Sequence, residues 1–199
     1  MSLPSAGMNR ALLPDAGSLA RCRRVLVMGS NGSGKTTFAR RLGTALSVDV
    51  LHLASLLFRH GWQHAPRDEF VRAQEPLVRR EGWIIDGNCL STFEVRGPFA
   101  EAIIVFDLPA TLCVPRTVRR TLASRMRPRP DLPDGCPERL NWSYIRFLWR
   151  VCTFRRRVMP RLERCLGATP PGTLIIRIRS SRAAADLLRR LEVTRRQTS

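Results

Sequence analysis

A glycine-rich segment between two apolar patterns places the strongest constraint on the fold of this chain. Residues 25–28 are apolar and predict a short buried strand, while Phe38, Ala39, Leu42 and Leu46 follow at helical spacing. The segment between them fits the pattern G-x-x-x-x-G-K-[ST] and consists of Gly29, Ser30, Asn31, Gly32, Ser33, Gly34, Lys35, Thr36 and Thr37. A strand, a glycine loop and a helix in this order predict a loop that binds nucleotide phosphates.

The residue types of this segment suit that chemistry. Glycines let backbone N–H groups converge on phosphate oxygens, and the helix that follows adds its positive N-terminal end. The Lys35 ammonium can reach the β- and γ-phosphates, and the Thr36 hydroxyl can ligate Mg²⁺. We therefore expect ATP and Mg²⁺ to bind at residues 29–37. The alternative is a glycine-rich turn that only caps a helix.

The choice of lysine at position 35 adds to this prediction. The chain has 34 Lys and Arg residues, and Lys35 is the single lysine among them. An ammonium is a compact point charge that fits inside a glycine loop, whereas a guanidinium is a wide planar fork. The single lysine of the chain thus lies at the one position where phosphate binding by a glycine loop calls for an ammonium group.

The overall charge is strongly basic. The 199 residues carry a formal net charge of +18, and residues 101–199 hold most of it. Such a surplus predicts polyanionic partners, nucleotides first and nucleic acid as a further candidate. The alternative is a solvated basic surface without a specific partner.

Cysteine and histidine are too scattered for a structural zinc site. The six cysteines include no C-x-x-C pair, and the three histidines are His52, His60 and His64. Reduced thiols, no apolar run of membrane-spanning length and no signal-peptide pattern predict a cytoplasmic protein that does not bind a membrane.

Apolar runs alternate with helical patterns along the chain. Strands are predicted at residues 25–28, 48–53, 82–88, 102–107 and 172–178, and helices at residues 67–80, 109–125, 138–165 and 181–191. The alternation predicts a three-layer α/β domain, a parallel sheet with helices on both faces. We assign residues 1–22 to a loosely ordered extension and 23–199 to the domain. The long helix at 138–165 is expected to break or bend at Pro160.

Acidic residues follow two of the predicted strands, at the sheet edge where ligands of such folds gather. Asp86 follows an apolar strand, and we predict that it holds Mg²⁺ together with Thr36. The alternative for Asp86 is a turn former in Asp-Gly. Asp107 is expected to pair with an arginine or to cap the next helix.

Arginines of the second half are candidates for contact with a transferring phosphoryl group. We predict catalytic roles for Lys35, Arg119 and Arg125, since Arg119 and Arg125 approach a proline-rich basic segment at 125–138. Arg155 lies on the apolar side of its helical pattern, so it needs an anionic partner, either a phosphate or an Asp or Glu.

Several motifs occur together in a combination that points to one family. They are the loop at 29–37, Trp-Ile-Ile-Asp-Gly-Asn at 83–88, Asp-Leu-Pro at 107–109, Arg-Pro-Asp at 129–131 and Gly-Cys-Pro-Glu-Arg at 135–139. In these the chain resembles the DNA topology modulation protein family, small P-loop proteins similar to adenylate and shikimate kinases. The resemblance implies a five-stranded sheet of order 2-3-1-4-5, an acceptor-binding segment near 53–80 and a lid near 125–138.

One position departs from the family pattern. The family usually has His-Leu-Asp after the second strand, and this chain has His52-Leu53-Ala54. Three hypotheses follow: a P-loop kinase that phosphorylates a small acceptor such as a nucleotide, a nucleotide-dependent DNA-associated protein, and an ATPase or nucleotide-binding module without a dedicated acceptor. Because Ala54 cannot orient an acceptor as an acid would, this departure favours the third hypothesis over the first. It does not affect the predicted binding of the nucleotide.

Overall fold

Short aliphatic runs form the central sheet in the computed structural model of the chain, which describes residues 16–124 and 141–198. The strands are, in chain order, β1 (Arg24–Gly29), β2 (Val50–His52), β3 (Phe58–Arg59), β4 (Gln63–His64), β5 (Trp83–Asp86), β6 (Ala102–Phe106) and β7 (Leu174–Ile178). Five of them pair in parallel in the order β2-β5-β1-β6-β7, and β3 pairs with β4 as an antiparallel hairpin. Counted over the five sheet strands this is the order 2-3-1-4-5, so the predicted fold is confirmed.

Helices connect the strands and cover both faces of the sheet. They are α1 (Ala16–Arg21), α2 (Lys35–Leu46), α3 (Leu53–Leu57), α4 (Arg67–Val78), α5 (Phe93–Arg96), α6 (Ala110–Ser124), α7 (Trp142–Cys152), α8 (Phe154–Arg157), α9 (Met159–Gly167) and α10 (Ser181–Thr198). Short 3₁₀ turns lie at His60–Trp62, Leu90–Thr92 and Gly97–Phe99.

The alternation of side chains along β1 shows how one strand supports two cores. Val25 and Val27 point to the face covered by α2 and α10, whereas Leu26 and Met28 point to the face covered by α4 and α9. All four side chains are fully buried. Each contributes about 1.5–3 kcal/mol by leaving water, so the strand that carries the glycine loop at its end is firmly held between the two cores.

The N-terminal boundary was predicted too late in the chain. Residues 16–21, assigned to the loosely ordered extension, form α1, which packs against α10. Leu19 is completely buried in the same core as Leu187 and Leu191. Because six residues hold less than two helical turns, the apolar periodicity was too short to be recognised. The rest of the predicted extension, residues 1–15, lies outside the described residues.

The predicted long helix is also divided differently. Its described part, from Trp142 onwards, forms α7, α8 and α9, with breaks at Thr153 and Val158. Pro160 lies in the first turn of α9, where its missing N–H is not needed, so it begins a helix rather than breaking one. The lid predicted at 125–138 lies outside the described residues.

Within residues 16–124 and 141–198, no helix is both long and apolar enough to cross a membrane. The five cysteines of these residues are free thiols.

We predict that α1 is an integral part of the fold. Leu19→Ala should lower the free energy of unfolding by about 2–5 kcal/mol, because the cavity in the α1–α10 core is not refilled. Urea denaturation measures the loss. Leu122→Ala, at a leucine 48% exposed on α6, is the matched control and should cost much less. Equal losses in the two variants would contradict the assignment.

Candidate nucleotide-binding site

The glycine loop lies between β1 and α2 and approaches its neighbours too closely for side chains at two positions. Gly29 has φ of 143°, and a Cβ there would lie 2.6 Å from the carbonyl oxygen of Phe106. Gly32 has φ of 77°, and a Cβ there would lie 2.1 Å from the carbonyl oxygen of Cys113 on α6. The loop therefore packs directly on the end of β6 and the first turns of α6, and glycine is required at both positions.

The start of α2 leaves polar groups for a ligand. Gly34 precedes the helix, and no side chain caps its first N–H groups. The Ser33 hydroxyl is buried and has no hydrogen-bond partner among the described residues. Since buried polar groups are nearly always hydrogen-bonded, these donors fit an anion bound in the loop.

Thr36, Asp86 and His52 form a polar cluster beside the loop. The Thr36 hydroxyl donates to Asp86 Oδ2 over 2.6 Å, and His52 Nδ1 lies 3.1 Å from the same oxygen. The parallel register explains the arrangement, because His52 of β2 and Val27 of β1 flank Asp86 of β5 directly. Both predicted metal-binding residues are thus together, and His52 is a member of the site that the sequence analysis did not assign a role.

The Asp86 carboxylate is only 5% exposed but is held in its charged form. Burial alone raises the pKa of Asp86, yet the hydrogen bond from His52, the charge of Lys35 and the hydrogen bond from Thr36 together lower that pKa below its ordinary value. Lys35 is therefore close enough to act electrostatically on Asp86. The second carboxylate oxygen, Oδ1, is buried and has no hydrogen-bond partner among the described residues.

These oxygens fit Mg²⁺ as the chain's own contribution to its coordination. Mg²⁺ prefers oxygen ligands and in nucleotide sites takes few from the protein, the remainder from water and phosphate. The described residues contain no group of three His, Cys, Asp or Glu side chains suited to a metal. A hydroxyl from Thr36 and the unpaired oxygen of Asp86 match the sparse set that Mg²⁺ uses beside phosphates.

Asn88 is a further residue of the site that the sequence analysis did not identify. Its side-chain amide makes two hydrogen bonds of 2.8 Å with Gly29, one to the N–H and one to the carbonyl oxygen. The Gly87 N–H donates to the Val27 carbonyl oxygen over 3.1 Å, which extends the β1–β5 pairing to this point. The position after a strand was a usable signal, since Asn88 is two residues beyond Asp86.

The predicted arginines have mixed outcomes. Arg119 is exposed on α6 and makes no hydrogen bond or ion pair within the described residues, and Arg125 lies outside them, so both catalytic roles stay predictions. Burial raises the pKa of the Cys113 thiol. The positive charges of Arg116, Lys35 and Arg155 act in the opposite direction and partly offset this rise in pKa. Cys113 touches the loop at Gly32, and the exposed Arg116 on the same helix donates from its Nη2 to the Ser181 hydroxyl over 3.0 Å.

Arg155 does not lie in the core, contrary to its predicted burial. Its side chain is 52% exposed, and its Nε donates to Asp107 Oδ1 over 2.7 Å. The prediction treated residues 138–165 as one helix. Because the helix breaks at Thr153, Arg155 does not continue the apolar face of α7. The pairing of Asp107 with an arginine, one of the two expected roles, is confirmed.

Sequence comparison leaves the family open, and structural comparison supports the fold. No protein-family model matches this chain, and no curated protein matches it significantly. The chain is similar to a protein from Chloroflexus aurantiacus J-10-fl that is provisionally described as a kinase, with 15% identity, a TM-score of 0.50 and coverage of 87% of this chain and 98% of that one.

Two further solved structures are similar at lower TM-scores. They are shikimate kinase from Acinetobacter baumannii, with 14% identity, a TM-score of 0.49 and coverage of 92% and 98%, and a gluconokinase from Sinorhizobium meliloti 1021, with 17%, 0.47, 89% and 97%. The likeness to the Chloroflexus structure, together with the strand order 2-3-1-4-5 of this chain, supports a kinase-like P-loop NTPase fold.

The charged state of Asp86 predicts a pH dependence of stability. Because the folded pKa of Asp86 is below its unfolded value of about 3.9, the carboxylate stabilises the fold above that pH and loses this contribution as the pH falls through the folded pKa. Asp86→Asn cannot titrate. We expect the unfolding free energy of the wild type to fall relative to that of Asp86→Asn from pH 5 to pH 3 in urea denaturation. A wild type that keeps or gains stability relative to Asp86→Asn on acidification would contradict the lowered pKa.

Proposed function

We propose that this protein is an ATP-dependent phosphotransferase that moves the γ-phosphoryl group of ATP to a small-molecule acceptor. The observation that carries the proposal is the 2.6 Å hydrogen bond from Thr36 to Asp86 at the start of α2. It puts a hydroxyl and a charged carboxylate, the oxygen ligands of a nucleotide-bound Mg²⁺, beside a glycine loop that carries a lysine. The kinase-like fold supports the same function.

Each part of the loop has a distinct task in this proposal. The amides of residues 29–37 and the N-terminus of α2 hold the phosphates of ATP, and Lys35 neutralises charge on the β- and γ-phosphates. Thr36 and Asp86 hold Mg²⁺, which when bound supplies further neutralisation of the phosphate oxygens.

The proposed step is an in-line displacement at the γ-phosphorus. A hydroxyl or phosphate oxygen of the acceptor forms the new P–O bond, the bond to the β-phosphate oxygen breaks, and ADP leaves with that electron pair. Where the acceptor group is a hydroxyl, its proton passes to water. Positioning and charge neutralisation supply most of the rate in such reactions. Arg119 and Arg125 are proposed to clamp the transferring group.

The acceptor side is proposed to involve residues 53–80, a nucleotide being one candidate acceptor. This segment forms α3, the β3–β4 hairpin and α4. The hairpin carries an aromatic cluster in which the Phe58 ring centroid lies 5.1 Å from Trp62 and 5.0 Å from His64. Ala54 on α3 supplies no carboxylate for an acceptor hydroxyl, and this departure favours the second candidate function, an ATPase or nucleotide-binding module without a dedicated acceptor.

Membership of the DNA topology modulation protein family is a proposal on the motifs alone. They include 83–88, which supplies Asp86 and Asn88 to the site. A DNA-associated role would rest on exposed arginines such as Arg146, Arg150 and Arg161, which form no ion pair within the described residues. It stays a prediction, as does a cytoplasmic location.

We predict that Lys35 cannot be replaced by another cation. Lys35→Ala and Lys35→Arg should both lower ATP-dependent phosphoryl transfer by about 10²-fold or more, because the guanidinium fork does not fit where the ammonium neutralises the phosphates. ADP release with a panel of nucleotide and small-molecule acceptors measures the rate. Arg40→Ala, which removes an exposed cation from the same helix α2, is the control and should keep wild-type activity.

The same acceptor panel separates the two candidate functions. Transfer of labelled γ-phosphate to one acceptor identifies a kinase, whereas release of inorganic phosphate at the same rate with every acceptor identifies an ATPase. Failure of the wild type to bind ATP would overturn both.

A further inference from the structure

The two hydrogen bonds between Asn88 and Gly29 fix the first residue of the phosphate loop on both sides. The Gly29 N–H donates to Asn88 Oδ1, and Asn88 Nδ2 donates to the Gly29 carbonyl oxygen, each over 2.8 Å. A side-chain amide carries both the acceptor and the donor that these two groups need. Gly29 has φ of 143°, open to glycine alone among the common residues, so its conformation is set by these bonds and by its contact with Phe106 rather than by a side chain of its own.

Asn88 is in turn held by Arg96. The Nη2 atom of Arg96 donates to the carbonyl oxygens of Asn88 at 2.6 Å and Cys89 at 2.9 Å. Its Nη1 donates to the Thr92 carbonyl at 2.9 Å and to Gln74 Oε1 on α4 at 3.3 Å. One guanidinium thus joins the turn after β5 to a helix of the proposed acceptor segment.

Burial of Arg96 is costly and needs a reason. The side chain is 0% exposed, every hydrogen-bond acceptor that it has among the described residues is a neutral oxygen, and its Nε is buried without a partner there. Burial lowers the pKa of Arg96 to about 10, so the group is still charged at neutral pH. A buried cation without a hydrogen-bonded carboxylate is destabilising by itself. A fork that donates to five oxygens of four residues, the Thr92 hydroxyl at 3.2 Å being the fifth, gives precise geometry.

The backbone of the turn is bent to allow this arrangement. Cys89 has φ of 23°, in the left-handed region that non-glycine residues seldom adopt. This conformation directs the Asn88 carbonyl towards Arg96 while the Asn88 side chain faces Gly29. Strain of this kind persists only where surrounding contacts hold it, and here the Arg96 fork supplies them.

We propose that Asn88 is a positioning residue of the phosphate loop and that Arg96 acts through it, so that affinity for nucleotide phosphates depends on both residues. The proposal rests on the proposed function only in that it takes ATP as the ligand. Neither residue contacts the phosphates directly. Asn88 sets the direction of the Gly29 peptide groups, and Arg96 sets the place of Asn88.

The first experiment measures ATP and tripolyphosphate binding by calorimetry and thermal unfolding in parallel. Asn88→Ala should weaken both ligands by about tenfold or more, since it removes two hydrogen bonds that order the loop. Glu101→Ala is the matched control, because Glu101 Oε2 accepts from the N–H groups of Arg23 and Arg24 at the opposite end of β1. It should lower the unfolding midpoint and leave both affinities at the wild-type value.

The second experiment tests whether Arg96 acts through Asn88. Arg96→Lys alone should weaken ATP binding, whereas in the Asn88→Ala background it should change the unfolding midpoint but not the affinity further. If Arg96→Lys does not fold, Asn88→Asp gives a separate test, since it keeps the acceptor for the Gly29 N–H and places a carboxylate oxygen against the Gly29 carbonyl. It should fold and bind both ligands less tightly than the wild type.

The outcomes separate this inference from the proposed function. Wild-type affinities in Asn88→Ala, with a lowered unfolding midpoint like that of Glu101→Ala, would overturn the inference and leave the phosphotransferase proposal intact. Additive affinity losses from Arg96→Lys and Asn88→Ala would overturn the claim that Arg96 acts through Asn88. A wild-type protein that binds neither ligand would overturn the proposed function itself.

Discussion

The attachment of the phosphate loop to the carboxyl end of β5 is the constraint on which the site depends. Gly29 is the first residue of the loop and forms a hydrogen bond with Asn88. Thr36 lies near the end of the loop and forms a hydrogen bond with Asp86. Both contacts require the parallel register that sets Val27 of β1 opposite Asp86 of β5. A slip of one residue would turn Asp86 to the other face of the sheet and remove both. The loop geometry is thus set by strand pairing.

Charge is distributed differently inside and outside this protein. Asp86 and Arg96 are the charged side chains buried among the described residues. Asp86 contacts the loop at Thr36, and Arg96 contacts Asn88, which in turn contacts the loop. Asp86 pairs with His52, whereas the two terminal nitrogens of Arg96 donate to neutral oxygens and its Nε has no partner among the described residues. The large basic surplus lies mostly on the surface, where single ion pairs stabilise little. Net charge therefore bears on anionic ligands more than on the fold.

Sequence patterns predicted the elements that are long and regular and failed where a tertiary contact sets the boundary. The sheet order and the loop agree with expectation. α1 was missed because the packing of Leu19 against α10 stabilises it, and six residues are too few to show a helical pattern in the sequence. The region after Trp142 was predicted as one helix because its apolar spacing continues, yet the backbone breaks at Thr153 and Val158. Arg155 was accordingly placed in the core and lies outside it.

The sequence by itself predicted the donor side of the site: the glycine loop, the single lysine at position 35, and Thr36 and Asp86 as oxygen ligands of Mg²⁺. The loop, Lys35 and Thr36 follow from local spacing, since one strand, one loop and one helix hold them. Asp86 followed from its place after an apolar strand, but its contact with Thr36 spans 50 positions and depends on the pairing of β1 with β5. Only the tertiary structure brought Asn88, Arg96 and His52 to the loop. Gly29 and Asn88 are 59 positions apart, and Arg96 reaches the same turn from a short helix with no periodic signal. Hydrogen bonds over such separations depend on strand register and burial, which a local pattern does not encode.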